Sequence, residues 1–260
     1  MKRSTIEALN RINQRFYSRQ AGDFSATRNS PWKGWERAVS GFVQRYGRRP
    51  PAAAVAARIL DAGCGNGRFA EYLDESLATP CRYLGLDSSP EMLAVARRRL
   101  RDLRWIEGEL SCCDLTSREL GRVMGRRRFD LIAAFGVLHH IPAFDGRLRL
   151  LQRLRLGLAA EGLLLLSFWQ FAEQPRFQRR FLDWSDHNRI ADQPIPVGDL
   201  EAGDHLLRWR DDGYRYCHHA TDDEALALVD SVGLTVVDRF RADGRNGELN
   251  LYIVAEGVEN

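Results

Sequence analysis

The strongest constraint on this fold is a run of small residues, Asp61-Ala62-Gly63-Cys64-Gly65-Asn66-Gly67. It directly follows an apolar stretch at 57–62 (ARILDA) and directly precedes an amphipathic one at 69–77. Glycines at alternate positions let a chain leave a buried strand, turn tightly and enter a helix. They also let a ligand approach the backbone where helix-end amides point outward. The same alternation then repeats. Runs at 82–87 (RYLGLD), 103–108, 129–135 (FDLIAAF) and 162–168 (GLLLLSF) read as strands. Helical patterns separate them, among them 90–101, opened by Pro90, and 148–158, where leucines recur at helical spacing. Strands alternating with helices imply a parallel sheet with right-handed crossovers, and nearly continuous apolar runs suit strands covered on both faces.

The end of the chain breaks this rhythm. A helix at 222–232 leads to a strand at 234–240, a turn Asp243-Gly244-Arg245-Asn246-Gly247 and a last strand at 251–255. Strands joined so closely pair antiparallel. The expected fold class is therefore α/β, with a mostly parallel sheet of seven strands and an antiparallel C-terminal hairpin, unlike the all-parallel nicotinamide-binding sheet. Residues 1–50 and 170–220 lie outside this pattern and are rich in aromatics and arginine. The first is expected to form an N-terminal helical cap segment. The second is expected to be a substrate-cover insertion in a domain spanning 51–260.

Composition narrows the setting. Nothing in the first 30 residues resembles the apolar core of a signal peptide, and the longest apolar stretch, 162–169, is far too short to span a bilayer. A cytoplasmic protein with no membrane partner is expected. Five cysteines at irregular spacing, with no CxxC pair, read as reduced thiols. The net charge is only +3, but apart from Lys2 and Lys33 the basic residues are all arginine, clustered at 48–49, 97–99, 126–128 and at Arg176, Arg179 and Arg180. Guanidinium forks bind phosphates well, although charge runs are more often solvated faces.

The glycine loop reads GxGxG, and Arg68 stands where the dinucleotide pattern GxGxxG needs its third glycine, which tilts the choice away from NAD. Asp87 ends the second strand twenty positions after Gly67, where a carboxylate can accept from both ribose hydroxyls of a nucleoside. The alternative is a helix cap, a task that Ser88 and Ser89 fill equally well. Asp114, in Cys112-Cys113-Asp114-Leu115, can accept an adenine amino group with Leu115 against the ring, or cap a helix at 116–124.

Taken in order, DAGCGNG, YLGLDSSPEML, CCDL and FDLIAAFGVLHHIP, across residues 57–170, resemble the successive motifs of the class I methyltransferase family, with its Rossmann-like fold. The resemblance implies S-adenosyl-L-methionine as cofactor. Asp61, Gly63, Gly65, Gly67, Asp87, Ser88, Asp114 and Leu115 would bind it, and Phe135 and Val137 would line its methionine side. Ala159-Ala160-Glu161-Gly162 departs from the Pro-Gly-Gly usual before the fifth strand, which affects only a turn.

A second resemblance is narrower. The stretch from Asp23 to Trp32 (DFSATRNSPW) is similar to the F-S-x-T-R…W segment of the tRNA wobble-uridine methyltransferases, which esterify the carboxylate of 5-carboxymethyluridine. His139-His140, Phe168-Trp169, Arg215-Tyr216-Cys217-His218 and Asn250-Leu251-Tyr252 are similar as well. This implies tRNA as partner and, as in the eukaryotic relatives, a small activating subunit; DNA is not implied. Such a nucleophile is already ionised near neutral pH, so the site needs no strong general base. It must strip water from the anion, align one oxygen with the methyl group and hold the other oxygen. Arginine suits that grip. Arg28 and Arg215 are the candidates, with His140 and His218 as neutral donors or positioning groups. Arg28 serves equally well as a contact for the cofactor carboxylate. Trp32, Trp169 and Tyr216 can stack on an unpaired base or simply pack in the core. His139, His140, Cys217, His218 and His219 raise the question of a metal, but neighbouring histidines do not easily serve one tetrahedral ion, and none is expected. Two further readings remain open. One is a methyltransferase for a metabolite carboxylate, hydroxyl or amine, and the other is a non-catalytic cofactor-binding scaffold.

Overall fold

The computed structural model describes residues 1–26, 30–46, 56–209 and 213–257; Arg28 lies outside the described residues. Helices α1 (Arg3–Ala26) and α2 (Gly34–Tyr46) precede β1 (Ala57–Ala62). Then α3 (Arg68–Ser76), β2 (Cys81–Asp87), α4 (Pro90–Leu100), β3 (Ile106–Cys112), α5 (Glu119–Met124), β4 (Phe129–Ala134), α6 (Phe144–Gly157) and β5 (Leu158–Trp169) alternate. An insertion follows with α7 (Pro175–Gln178), β6 (Phe181–Leu182), α8 (Trp184–Ile190), β7 (Asp204–Trp209) and β8 (Gly213–His218). Last come α9 (Asp222–Asp230), β9 (Leu234–Ala242) and β10 (Asn250–Gly257). Among the described residues no helix is long and apolar enough to cross a membrane.

Seven strands form one sheet in the order β3-β2-β1-β4-β5-β10-β9, with β10 antiparallel to both neighbours. This is the α/β architecture the sequence predicts. Because side chains alternate along a strand, β1 feeds both layers: Leu60 and Ala62 face α5, α6 and α9, while Ile59 faces α2 and α3. In α2, Trp35, Ala38, Val39 and Phe42 recur at helical spacing and are all buried on the sheet. Residues 34–46 thus belong to the sheet's helical layer.

The third strand starts later than the expected 103–108. Asp74, on α3, accepts the amides of Arg104, Trp105 and Ile106, and so holds this stretch in a turn before the sheet begins. As an edge strand with mostly exposed side chains, β3 also lacks the apolar run that marks the others.

Within the insertion, β6, β7 and β8 make a small antiparallel sheet that the sequence reading did not foresee. Leu206 and Tyr216 of this sheet pack with Leu9 of α1 and with Ile195, so α1 and the insertion form one body. Phe16 of α1 packs on Met92 of α4, and a second link to the main domain is ionic. The Arg147 guanidinium, on α6 and 1% exposed, donates to Glu201 at 2.7 Å, to Glu224 of α9 at 2.6 Å and to the Ile141 carbonyl at 3.0 Å. His218 continues the network with Nδ1 2.8 Å from Asp204 and Nε2 3.0 Å from Glu224, and the Tyr216 hydroxyl donates to Asp204 at 2.7 Å.

Candidate active site

The loop between β1 and α3 wraps the end of β2. Gly63 and Cys64 both donate to the Leu86 carbonyl at 2.8 Å. Gly63 has φ of 86°, and a Cβ there would stand 2.3 Å from Val137 Cγ2, so glycine is required on both conformational and steric grounds. The Asp87 carboxylate accepts the amides of Gly65 at 2.9 Å and Ser89 at 2.8 Å. The cap of α4 is Ser89, whose hydroxyl accepts the Met92 amide, so Asp87 is left to face the cavity. Burial raises Asp87 above the usual carboxylate range. Burial also pushes Asp61 up to about 7, where it accepts the Tyr83 hydroxyl at 2.6 Å.

These groups open into a cavity of about 1240 Å³, larger than the several hundred Å³ of a typical small-ligand pocket. One half holds Asp61, Gly63, Gly65, Asp87, Ser88, Asp114, Leu115, Phe135 and Val137, as the motifs imply. Gly67 sits just behind, at the start of α3 with φ of 81°. Asp114 accepts the amide and hydroxyl of Thr116 through one oxygen. The turn after β4 is tied down by Ser167, the polar break in the apolar run of β5, whose hydroxyl accepts the Gly136 amide at 2.9 Å. An acid at the end of β2, an apolar rim and a backbone without side chains fit a nucleoside with an amino-acid tail.

The other half is aromatic and basic. The Arg215 guanidinium, in a residue 4% exposed, lies 5.1 Å from the Trp169 ring centroid, 5.4 Å from Phe16 and 5.7 Å from Trp209. It donates to the Tyr17 hydroxyl at 3.2 Å, and that oxygen is 2.7 Å from His140 Nε2. Asn13, one helical turn before Tyr17 on α1, donates to the His140 carbonyl. Trp32 lies toward the cofactor half, against Trp35 and Phe135 with the Arg68 guanidinium 4.8 Å from its ring.

Two candidates go elsewhere. Tyr216 and His218 do not line the cavity; they point into the Asp204 network, since successive side chains of β8 face opposite ways and only Arg215 reaches the cavity. Tyr216 is fully buried and offers no face for a base. The neighbouring histidines lie close together. A 3-10 turn at Leu138–His140 brings the His139 and His140 rings to 4.0 Å, and their nitrogens and the Cys217 sulfur lie within 4.8 Å of one another. The sequence reading missed Asn13, Tyr17, Phe177 and Trp209, all of which line the cavity. The spacing of Asn13 and Tyr17 by four, on one helix face, was the available signal for the first two.

Residues 60–164 match a family model described as a methyltransferase domain. The chain is 28% identical over 229 residues to a protein of Encephalitozoon cuniculi whose name is that of a methyltransferase, covering 84% of this chain and 94% of that one. It is 26% identical over 172 residues to the tRNA (carboxymethyluridine(34)-5-O)-methyltransferase of Arabidopsis thaliana, covering 66% of this chain but only 36% of the relative. Among solved structures, the 1,6-didemethyltoxoflavin-N1-methyltransferase of Burkholderia thailandensis, with bound S-adenosylhomocysteine, aligns at a TM-score of 0.62 and 18% identity, covering 98% of this chain and 91% of that one. The sheet order and its antiparallel last strands are the fold of the class I methyltransferases. The chain carries a methyltransferase domain at residues 60–164, an enzyme domain that uses S-adenosylmethionine.

Asp87→Ala is expected to weaken S-adenosylmethionine binding about tenfold, the value of one charge-assisted hydrogen bond of roughly 1.5 kcal/mol. Because burial raises Asp87, wild-type affinity should also fall as pH drops through that raised range, and the variant should lose this dependence. Titration calorimetry measures both; unchanged affinity in the variant would put the ribose elsewhere.

Proposed function

We propose that this enzyme O-methylates a carboxylate, that of 5-carboxymethyluridine at the tRNA wobble position. The carrying observation is the Arg215 guanidinium, held among three aromatic rings on the wall of the cavity that Asp87 also lines. A planar fork with fixed charge matches a carboxylate through paired hydrogen bonds, and the rings around it keep water from the anion. Trp169 offers the pyrimidine a stacking face within reach of that fork. Tyr17 and His140 act as positioning groups, holding Arg215 from α1 and from the turn after β4. Bound beside Gly63 and Asp87, S-adenosylmethionine supplies a methyl group activated by its sulfonium. An ionised acceptor needs no general base, so the chain's task is to align and desolvate it.

The Arabidopsis relative, by its name, acts on this nucleoside, and the resemblance adds a small activating subunit as a partner. In this reading α1 and the insertion after β5 close over the acceptor, and the reaction is cytoplasmic. A second reading, a small-molecule acceptor, draws on the likeness to the didemethyltoxoflavin enzyme across nearly the whole chain. Nucleoside mass spectrometry tests the choice, using tRNA carrying 5-carboxymethyluridine incubated with the enzyme and S-adenosylmethionine. A mass gain of one methyl group on that nucleoside supports the tRNA reading. Unchanged tRNA alongside methylation of a free carboxylic acid supports the other.

A further inference from the structure

We infer that Arg176, Arg179, Arg180 and Arg208 form a lip of the acceptor cavity that binds the phosphate backbone of a structured RNA. This rests on the proposed tRNA reading and locates its docking surface. All four side chains are exposed. They come together because α7 and the residues after it run into β6, which pairs with β7, and the Arg208 amide donates to the Arg180 carbonyl at 2.9 Å. The patch adjoins the cavity. Phe177 lines the cavity wall, with the Arg176 and Arg180 guanidinium groups 4.7 and 5.9 Å from its ring centroid, and Trp209, next to Arg208, lines it too.

The charge here is not neutralised. Several arginines elsewhere meet acids, among them Arg37 with Asp238, Arg99 with Glu71, Arg127 with Glu109, and Arg241 with Glu173 and Asp222. Among the described residues, none of the four lip arginines has a carboxylate within ion-pair distance. The nearby acids of the insertion are engaged, Glu173 by Arg241 and Asp183 as the cap of α8. A solvated face on which, among the described residues, four arginines have no acid partner, interleaved with aromatic rings and leading to a cavity with Trp169 inside, suits a nucleic-acid loop. Its phosphates would lie on the lip and its unpaired base would enter the cavity. An acidic protein partner would not use the aromatic entrance.

Two double variants test this, Arg176→Gln with Arg179→Gln, and Arg180→Gln with Arg208→Gln. Binding of a fluorescently labelled tRNA transcript is read by anisotropy over a range of KCl concentrations, with cofactor affinity as the control for folding. Each pair is expected to weaken binding about tenfold and to reduce the slope of log affinity against log salt by roughly 1.5, at 0.7–0.9 per lost phosphate contact. Wild-type affinity and slope in both variants, or no tRNA binding by the wild type, would overturn the lip. The tRNA reading is scored separately, by methylation of 5-carboxymethyluridine in tRNA. Absence of methylation with lip-dependent binding rejects that acceptor and keeps the lip. Methylation by the variants with wild-type KM rejects the lip and keeps the acceptor.

Discussion

Replacing Arg215 by methionine is expected to lower kcat/KM for a carboxylate acceptor by about a hundredfold or more, with cofactor affinity held within about twofold. A hundredfold corresponds to about 2.7 kcal/mol, inside the 2–5 kcal/mol typical of truncating one partner of a buried charged pair. The large effect follows from where the guanidinium sits. It is buried among Phe16, Trp169 and Trp209, so water does not replace it at an anion brought into the cavity. Methionine keeps much of the packing volume, which separates loss of charge from collapse of the cage. Arg215→Lys keeps the charge and loses the fork, and should recover only part of the rate. Steady-state kinetics with a thermal melt of each variant makes the comparison. A methionine variant that melts and binds cofactor like the wild type and turns over normally would remove Arg215 from acceptor binding.

The second large effect concerns stability. Arg147→Met should lower the unfolding free energy by about 3 kcal/mol, on the order of 10 °C in Tm for a chain of this size, because it leaves Glu201 and Glu224 facing each other without their cation. The two acids are partly exposed, which places the cost at the lower end for a broken buried pair. The network is also pH-sensitive. Burial opposes the charge on His218, but its hydrogen bonds to Asp204 and Glu224 outweigh this and raise it above its ordinary 6.5. Burial likewise opposes the charges on Asp204 and Glu224. Their bonds to His218, with Tyr216 and Arg147, outweigh it and lower them below 3.8 and 4.5. The His218 contribution is thus complete below pH 6.5 and lost as pH rises through the raised value. The carboxylate contribution is complete above 4.5 and lost as pH falls through the depressed ones. Calorimetric melts should show the network strongest between about pH 4.5 and 6.5, and His218→Gln should remove the loss on the alkaline side. An alkaline decline unchanged in the variant would assign it to other groups.

The glycine-loop side of the cavity was legible in the sequence because its geometry is local. The glycines of one loop and the acids ending two neighbouring strands are placed by secondary structure alone, and the structure lines them along one cavity wall. The side around Arg215 was only partly legible, because it is built by tertiary contact. Arg215 and Tyr216 are neighbours in sequence, yet one faces the cavity and the other Asp204, and that choice depends on the register of β8 against β7, where Tyr216 pairs with Leu206. The hairpin itself was hidden because β8 is buried on both sides and carries Arg215 and His218 inside, so the apolar alternation that reveals a half-buried strand is absent. Asp74 shows the same limit at β3, where one side chain holding three amides moved a strand start that hydropathy placed earlier.

The most direct test of the acceptor chemistry is the fate of a labelled methyl group. The enzyme is incubated with methyl-labelled S-adenosylmethionine and tRNA bearing 5-carboxymethyluridine, and the recovered tRNA is treated with mild alkali. A carboxylate methyl ester should release the label as methanol, and the Arg215→Met tRNA should carry almost none. Label that enters the tRNA and survives alkali, or that enters equally with Arg215→Met, would contradict esterification at an Arg215-held carboxylate.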